Sequence, residues 1–269
     1  MKEILSRDNP RFKALRRLAE SARARREEGG ALLDGWHLLE AYARAGGVPQ
    51  RVVFSRSSLA SGQAARWLAG AGGGIETLVL ADGLFAALSP VASPTGVLAQ
   101  IALPFGVPLR SVRFGVLLDD VQDPGNLGAI LRSAAAAGCD GAYLSPGCAD
   151  AWSPKTLRAG MGAHFVLPIA EDADLVAVAR AFAGKVLATS LDGGEPLYDL
   201  DLRGPVVFVV GNEGAGVGAE ILAAASHRVK IPMPGAVESL NAAAAVAVCL
   251  FERVRQTDWQ QSSAGKNPV

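Results

Sequence analysis

Two runs of the chain, Gly115–Leu118 (GVLL) and Val206–Val210 (VVFVV), are apolar at every position rather than at alternate ones. A strand with one solvated face alternates with period two. One that does not alternate must be covered on both faces, which is the condition of a parallel sheet sandwiched between helices. Strand-like and helix-like stretches alternate around these runs. A helical pattern runs from about Arg7 to Glu28, and then ALLDG, RVVFS, ETLVL and TGVLAQIAL read as strands. WHLLEAYARAGG, GQAARWLAGAGG and DGLFAALS read as the helices between them. Pro104 to Pro108 (PFGVP) suits an extended linker. Beyond it FGVLLDD, GAYLS, FVLPI, KVLATS, GPVVFVVGNEG and HRVKIPM read as strands. Helices are expected between them from Asn126 to Ala137, from Ser153–Pro154, through DADLVAVARAF and from Ala219 to Ala225, with a last helix from Ser239 to Arg255. This alternation indicates an α/β class. The expected organisation is a smaller α/β domain over 1–103, a larger one over 109–257 and a disordered tail over 258–269.

Bulk composition restricts the partners less than its distribution does. Half of the 269 residues are hydrophobic, enough for two cores, and 26 basic residues balance 26 acidic ones. Between Arg7 and Arg26, however, eight basic residues face only Asp8 and Glu20, a local charge of 8 − 2 = +6. A helix so charged suits contact with phosphates, and it suits equally a solvated amphipathic face. Cys139, Cys148 and Cys249 have neither disulfide-framework nor metal-clip spacing. The first residues are polar and basic, and the longest apolar stretch, Ala242 to Phe251, is too short to span a bilayer. A cytoplasmic protein with no membrane association and no metal is expected. His37, His164 and His227 fit no metal spacing and no triad pattern and receive no role.

Ligands of open parallel sheets bind beyond the carboxyl ends of the strands, and three such ends carry unusual loops. In DDVQDPGNLGAILRSA (residues 119–134), Asn126 is placed to cap a helix, with Arg132 in its second turn facing the same end of the sheet. In GNEGAGVG (211–218), glycines surround Glu213, suiting backbone contact with a ligand. The stretch from Gly214 to Ala219 satisfies the loose dinucleotide pattern G-x-G-x-x-A. Against a dinucleotide stand its late position in the chain and the charge of Glu213, which opposes a pyrophosphate and favours a neutral or cationic ligand. In IPMPGAVESLNAAAA (231–245), Ser239 and Asn241 open an apolar helix, either as caps or as groups holding a substrate hydroxyl.

Together NLGAILRSA, VVGNEGAG and IPMPGAVESLN resemble the three signature motifs of the SpoU (TrmH) family of RNA ribose 2′-O-methyltransferases in the SPOUT superfamily. SPKTLRAGMGAHF is similar to that family's middle region. DGWHLLEA, VVFS and TGVLAQIA resemble the ribosomal-protein-like RNA-binding domain that often precedes it. The resemblance implies an α/β trefoil-knot methyltransferase domain, a homodimer, S-adenosyl-L-methionine as cofactor and RNA as partner, ribosomal rather than transfer RNA. It implies catalytic roles for Asn126, Arg132, Glu213, Ser239 and Asn241. It puts Gly211, Ile231 and Leu240 against the adenosine, with Thr189, Asn212, Gly214 and Met233 beside them. RNA contacts are expected from Arg7, Arg11, Lys13, Arg16 and Arg17. A guanidinium above pKa 12 is a poor proton acceptor, so Arg132 is expected to stabilise charge rather than to act as a base, across the dimer interface if the family's arrangement holds. The alternatives left open are a transfer-RNA methyltransferase, a non-catalytic RNA-binding or ribosome-assembly protein on this fold, and a dinucleotide-dependent enzyme.

Overall fold

The computed structural model describes residues 2–70, 74–104, 112–191 and 193–257. Most of the expected linker and the whole of the expected tail lie outside the described residues. The chain forms two units, one of residues 1–105 with 150–165, the other of 106–149 with 166–269.

The first unit is built on a mixed sheet in the order β1-β4-β3-β5-β2, formed by β1 (Lys2–Ile4), β2 (Gly30–Asp34), β3 (Arg51–Ser55), β4 (Glu76–Leu80) and β5 (Val97–Ala102). β1, β4 and β3 are parallel, while β5 runs antiparallel to both β3 and β2. The helical pattern from Arg7 to Glu28 is two helices, α1 (Pro10–Glu20) and α2 (Ala22–Glu28). Ser21 divides them: its backbone is extended and its side chain accepts from Ala24 N, a cap that competes with helix continuation. Phe12, Leu15 and Leu18 of α1, at helical spacing, pack with Leu32, Val53, Leu78 and Phe85. α3 (Trp36–Arg44), α4 (Gly62–Gly70) and α5 (Asp82–Ala86) complete the alternation.

Residues 150–165, expected from chain order in the second domain, pack in the first unit. Arg25 is buried there, with Nε and Nη2 donating to Asp150 Oδ2 at 2.8 and 2.5 Å and Nη1 donating to the carbonyls of Leu18 and Ala19. His164 is buried with Nε2 against Ala151 O, and burial pushes its pKa down to about 4, so it is a neutral core residue.

The second unit holds seven strands, every pair parallel, in the order β10-β12-β9-β11-β6-β7-β8. They are β6 (Phe114–Leu118), β7 (Gly141–Leu144), β8 (Ile169–Ala170), β9 (Lys185–Thr189), β10 (Glu195–Pro196), β11 (Val206–Val210) and β12 (His227–Lys230). All of β6, β7 and β11 is buried, as runs without alternation require. The helices are α6 (Pro124–Ala136), α7 (Pro154–Gly160, in the first unit), α8 (Leu175–Ala181), α9 (Ala219–Ala224) and α10 (Ala242–Thr257). Of the expected strand FVLPI only Ile169 enters β8; Pro168 has no N–H for a ladder, and residues Ala163–Phe165 form a 3-10 turn. β10, two residues long, carries no periodicity to read. The strand order has an unusual feature: β11 is laid between β6 and β9, and β12 between β9 and β10, each inserting between strands formed earlier in the chain.

Candidate active site

The carboxyl ends of β6, β11, β9 and β12 meet at one edge of the second sheet, and the three singled-out loops leave from there. The β6–β11 ladder runs one residue further, Asp119 N donating to Val210 O at 2.8 Å. The chain then turns back on itself: Asn212 and Gly216 exchange both backbone hydrogen bonds, at 3.0 and 2.9 Å. Inside this turn Asn212 Oδ1 accepts from Gly214 N and Ala215 N. Gly211 is required here, because a Cβ on it would lie 2.1 Å from the Gly216 carbonyl. Both ends of the loop are fastened to the end of β6. Asn212 Nδ2 donates to Asp120 O at 2.9 Å, and Gly218 N donates to Asp119 Oδ2 at 2.8 Å. Asp120 holds φ +57°, uncommon for a residue with a side chain, and its own N–H is taken by Ser145 Oγ. Sequence reasoning missed Asp119 and Asp120; nothing in DD signals contact with a loop 92 and 99 residues away.

Three of the five expected catalytic residues are joined in line. α6 begins at Pro124, with Asp123 rather than Asn126 as its cap: Asp123 Oδ1 accepts from Asn126 N at 2.7 Å. The Asn126 side chain is thereby free to bridge. Its Nδ2 donates to Glu213 Oε1 at 3.0 Å, and its Oδ1 accepts from Asn241 Nδ2 at 2.9 Å. α10 begins at Ala242 rather than at Ser239, and Asn241 caps it, its Oδ1 accepting from Ala243 N and Ala244 N. A carboxamide has one acceptor oxygen and one donor nitrogen. With the Asn241 oxygen committed to the helix, its nitrogen must face Asn126, and the Asn126 nitrogen must face the carboxylate. The cap of α10 therefore sets the direction of the whole chain. Burial would raise the Glu213 carboxyl, but the Asn126 amide and the backbone N–H groups of Glu213, Gln122 and Asp123 outweigh it and hold the group below the usual glutamate range.

Arg132 and Ser239 stand outside this array. Six residues after Asn126 at 100° each is roughly 240° around α6, so Arg132 lies at another azimuth of the helix than Asn126. Arg132 and Ser239 are exposed, and neither has a hydrogen bond or ion pair among the described residues. Of the expected cofactor residues, Ile231 and Met233 are half-buried and Leu240 is exposed, while Thr189 Oγ1 donates to Val209 O at 3.1 Å. Gly214 is exposed at the tip of the turn.

The chemistry of this rim suits a cation with a neutral heterocycle. Its carboxylates are Asp119, Asp120, Asp123 and Glu213: Asp119 accepts from Gly218 N, Asp120 from the Gln122 amide, Asp123 from Asn126 N and Glu213 from the Asn126 amide. A pyrophosphate would meet four carboxylates at close range, which counts against the dinucleotide alternative. Residues 113–251 match the SpoU rRNA methylase family, and residues 9–99 match the MRM3-like substrate binding domain. The chain belongs to the SpoU rRNA methylase family. It is 34% identical to a tRNA/rRNA methyltransferase of Synechocystis, over 97% of this chain and 96% of that one. It is 32% identical to the 23S rRNA (guanosine(2553)-2′-O)-methyltransferase RlmP of Bacillus subtilis, over 93% and 98%. Among solved structures, the SpoU methyltransferase AviRb from Streptomyces viridochromogenes, in complex with the cofactor AdoMet, superposes with a TM-score of 0.82 at 29% identity, covering 96% of this chain and 100% of that one. The RNA ribose methyltransferase activity and the adenosylmethionine cofactor expected from the three motifs agree with these relatives.

The basic helix of this SpoU-family chain is less basic in three dimensions than in sequence. Arg11 pairs with Glu76, Lys13 with Asp8, Arg16 with Glu20, and Arg17 with Glu27 and Glu28. Three of these carboxylates lie outside the 7–26 window from which the charge was counted. Arg7 has no such partner among the described residues.

Proposed function

We propose that this SpoU-family enzyme methylates a ribose 2′-hydroxyl of 23S-type ribosomal RNA, using S-adenosylmethionine, as a cytoplasmic homodimer. The Asn241–Asn126–Glu213 array carries this reading. It joins one residue from each of the three motifs, at the strand ends where a parallel sheet binds its ligand. In it, residues 1–103 bind RNA and residues 109–257 form the catalytic domain, threaded as a trefoil knot. The late insertion of β11 and β12 between earlier strands supports the threading. Exposed Val237, Leu240 and Phe251 on and before α10 support a covered face in the dimer. No helix among the described residues is long and apolar enough to cross a membrane, and the three cysteines are free thiols.

S-adenosylmethionine supplies a methyl carbon activated by its sulfonium. Around it, Gly211, Ile231 and Leu240 would hold the adenosine, with Thr189, Asn212, Gly214 and Met233 beside them. Glu213, its carboxyl held below the usual glutamate range, would attract the cationic end of the cofactor. Its lone pairs are engaged by the Asn126 amide and by backbone N–H groups, which makes it a weak base. Arg132 presents a guanidinium, a planar fork of donors with no acceptor. From the partner's side of the interface it grips a phosphate of the RNA and stabilises the developing alkoxide. Ser239, exposed at the mouth of α10, passes the hydroxyl proton to solvent.

Calorimetric titration with S-adenosylmethionine and with NAD, followed by incorporation of labelled methyl into a 23S ribosomal RNA transcript, tests the reading. Saturable adenosylmethionine binding that is lost in Gly211→Trp, with label recovered as 2′-O-methylnucleoside, is expected. NAD binding would restore the dinucleotide alternative. Binding of RNA without methyl transfer would favour the non-catalytic one.

A further inference from the structure

On the first unit a pocket of about 90 Å³ is lined by Arg7, Phe12, Arg16, Glu20 and Ala87. Phe12, Arg16 and Glu20 are successive i, i+4 positions of α1 and form one wall; Arg7, from the segment before the helix, and Ala87, just after α5, form the other sides. We infer that this pocket is the phosphate-gripping point of the N-terminal unit, taking a backbone phosphate of the RNA between the guanidinium groups of Arg7 and Arg16. The inference rests on the RNA-methyltransferase reading above and narrows its RNA-contacting helix to one spot.

The charge distribution makes the selection. Arg25 is buried against Asp150, and Lys13, Arg17 and Arg11 pair with carboxylates that do not line the pocket, so their side chains are drawn away from it. Arg7 alone of the residues named as RNA contacts is exposed with no partner among the described residues. Arg16 does have a partner, but Glu20 is a same-helix neighbour inside the same pocket, and both side chains are more than half exposed. Such pairs are weak and exchange readily. A phosphate that entered would meet two planar donor forks on an apolar floor of Phe12 and Ala87, a geometry guanidinium groups recognise better than ammonium groups do. Glu20 then has a second function. It holds Arg16 in place before RNA arrives, and it repels anions, so that only a phosphate presented with further contacts displaces it.

Each phosphate contact contributes about 0.7–0.9 to the slope of log affinity against log salt. Filter binding of a 23S ribosomal RNA transcript to the full chain, across a series of KCl concentrations, reads this slope directly. Arg7→Ala with Arg16→Ala is expected to lower its magnitude by about 0.7–0.9, the share of one phosphate, while Lys13→Ala with Arg17→Ala leaves it unchanged. Arg7→Lys is expected to keep the slope and lose affinity severalfold. Glu20→Gln is expected to raise affinity severalfold by releasing Arg16. An unchanged slope for the Arg7 and Arg16 double variant, or an equal fall for the Lys13 and Arg17 pair, overturns the inference while leaving the RNA reading intact. Salt-independent binding by the unaltered protein, or none, overturns both.

Discussion

Asn241 and Asn126, 115 residues apart, share a hydrogen bond of 2.9 Å whose direction is set by a helix rather than by either residue. The Asn241 oxygen is held by the first N–H groups of α10, so the nitrogen can only donate toward Asn126 and, through it, toward Glu213. Asn241→Asp keeps the cap and removes the donor. Methyl transfer is expected to fall about 100-fold with thermal stability nearly unchanged, because acid and amide cap helices about equally well. Asn241→Ala loses both functions and costs about 1 kcal/mol in addition. Steady-state kinetics beside thermal melting separates the two; equal melting temperatures for Ala and Asp would show that the cap contributes nothing.

The lowered Glu213 pKa has a pH signature. A carboxylate whose folded pKa lies below its unfolded value contributes stability that is present above the unfolded value and lost as pH falls through the folded one. The melting temperature of the protein is therefore expected to exceed that of Glu213→Gln at neutral pH, the gap closing below about pH 4. Adenosylmethionine affinity of Glu213→Gln is expected to drop about fivefold at neutral pH, through loss of one attraction to a cation. A gap that persists or widens in acid would assign the effect to packing.

Asp119 accepts from Gly218 N at 2.8 Å and so anchors the far end of the glycine turn. Asp119→Ala is expected to raise the adenosylmethionine KM at least about tenfold, the scale of a hydrogen bond to a charged group. Asp119→Asn, which still presents an oxygen, is expected to recover most of it. If the two variants behave alike, charge rather than the hydrogen bond matters at this position.

The buried Arg25–Asp150 pair ties residues 150–165 into the first unit. Asp150→Ala leaves the guanidinium buried without its counter-charge and is expected to cost about 3–5 kcal/mol by urea unfolding. Adding Arg25→Met is expected to return much of that loss. A double variant as unstable as the sum of the two single ones would mean that the pair does not interact.

The α/β class and the buried central strands were legible in sequence because apolar periodicity is a local signal: VVFVV and GVLL can satisfy only a covered strand. Where local signals compete the reading slipped. Ser21 splits one expected helix, Asp123 takes the cap expected of Asn126, and Pro168 shortens β8.

By itself the sequence determined which residues carry polar chemistry at the strand ends, since Glu213 and Asn241 sit in loops, and Asn126 in a helix start, whose glycines and prolines serve little else. Only the tertiary structure decided that these three form one directed chain, that Asp119 and Asp120 fasten the turn, and that Arg132 and Ser239 stand apart from it. It also decided that most of the basic charge on α1 is spent on Glu27, Glu28, Glu76 and nearer carboxylates, leaving Arg7 exposed without a partner among the described residues. The reason is range. Propensity and periodicity act over a few residues, whereas hydrogen-bond direction and charge pairing act over a few ångströms between residues about a hundred positions apart, and only the folded chain brings those together.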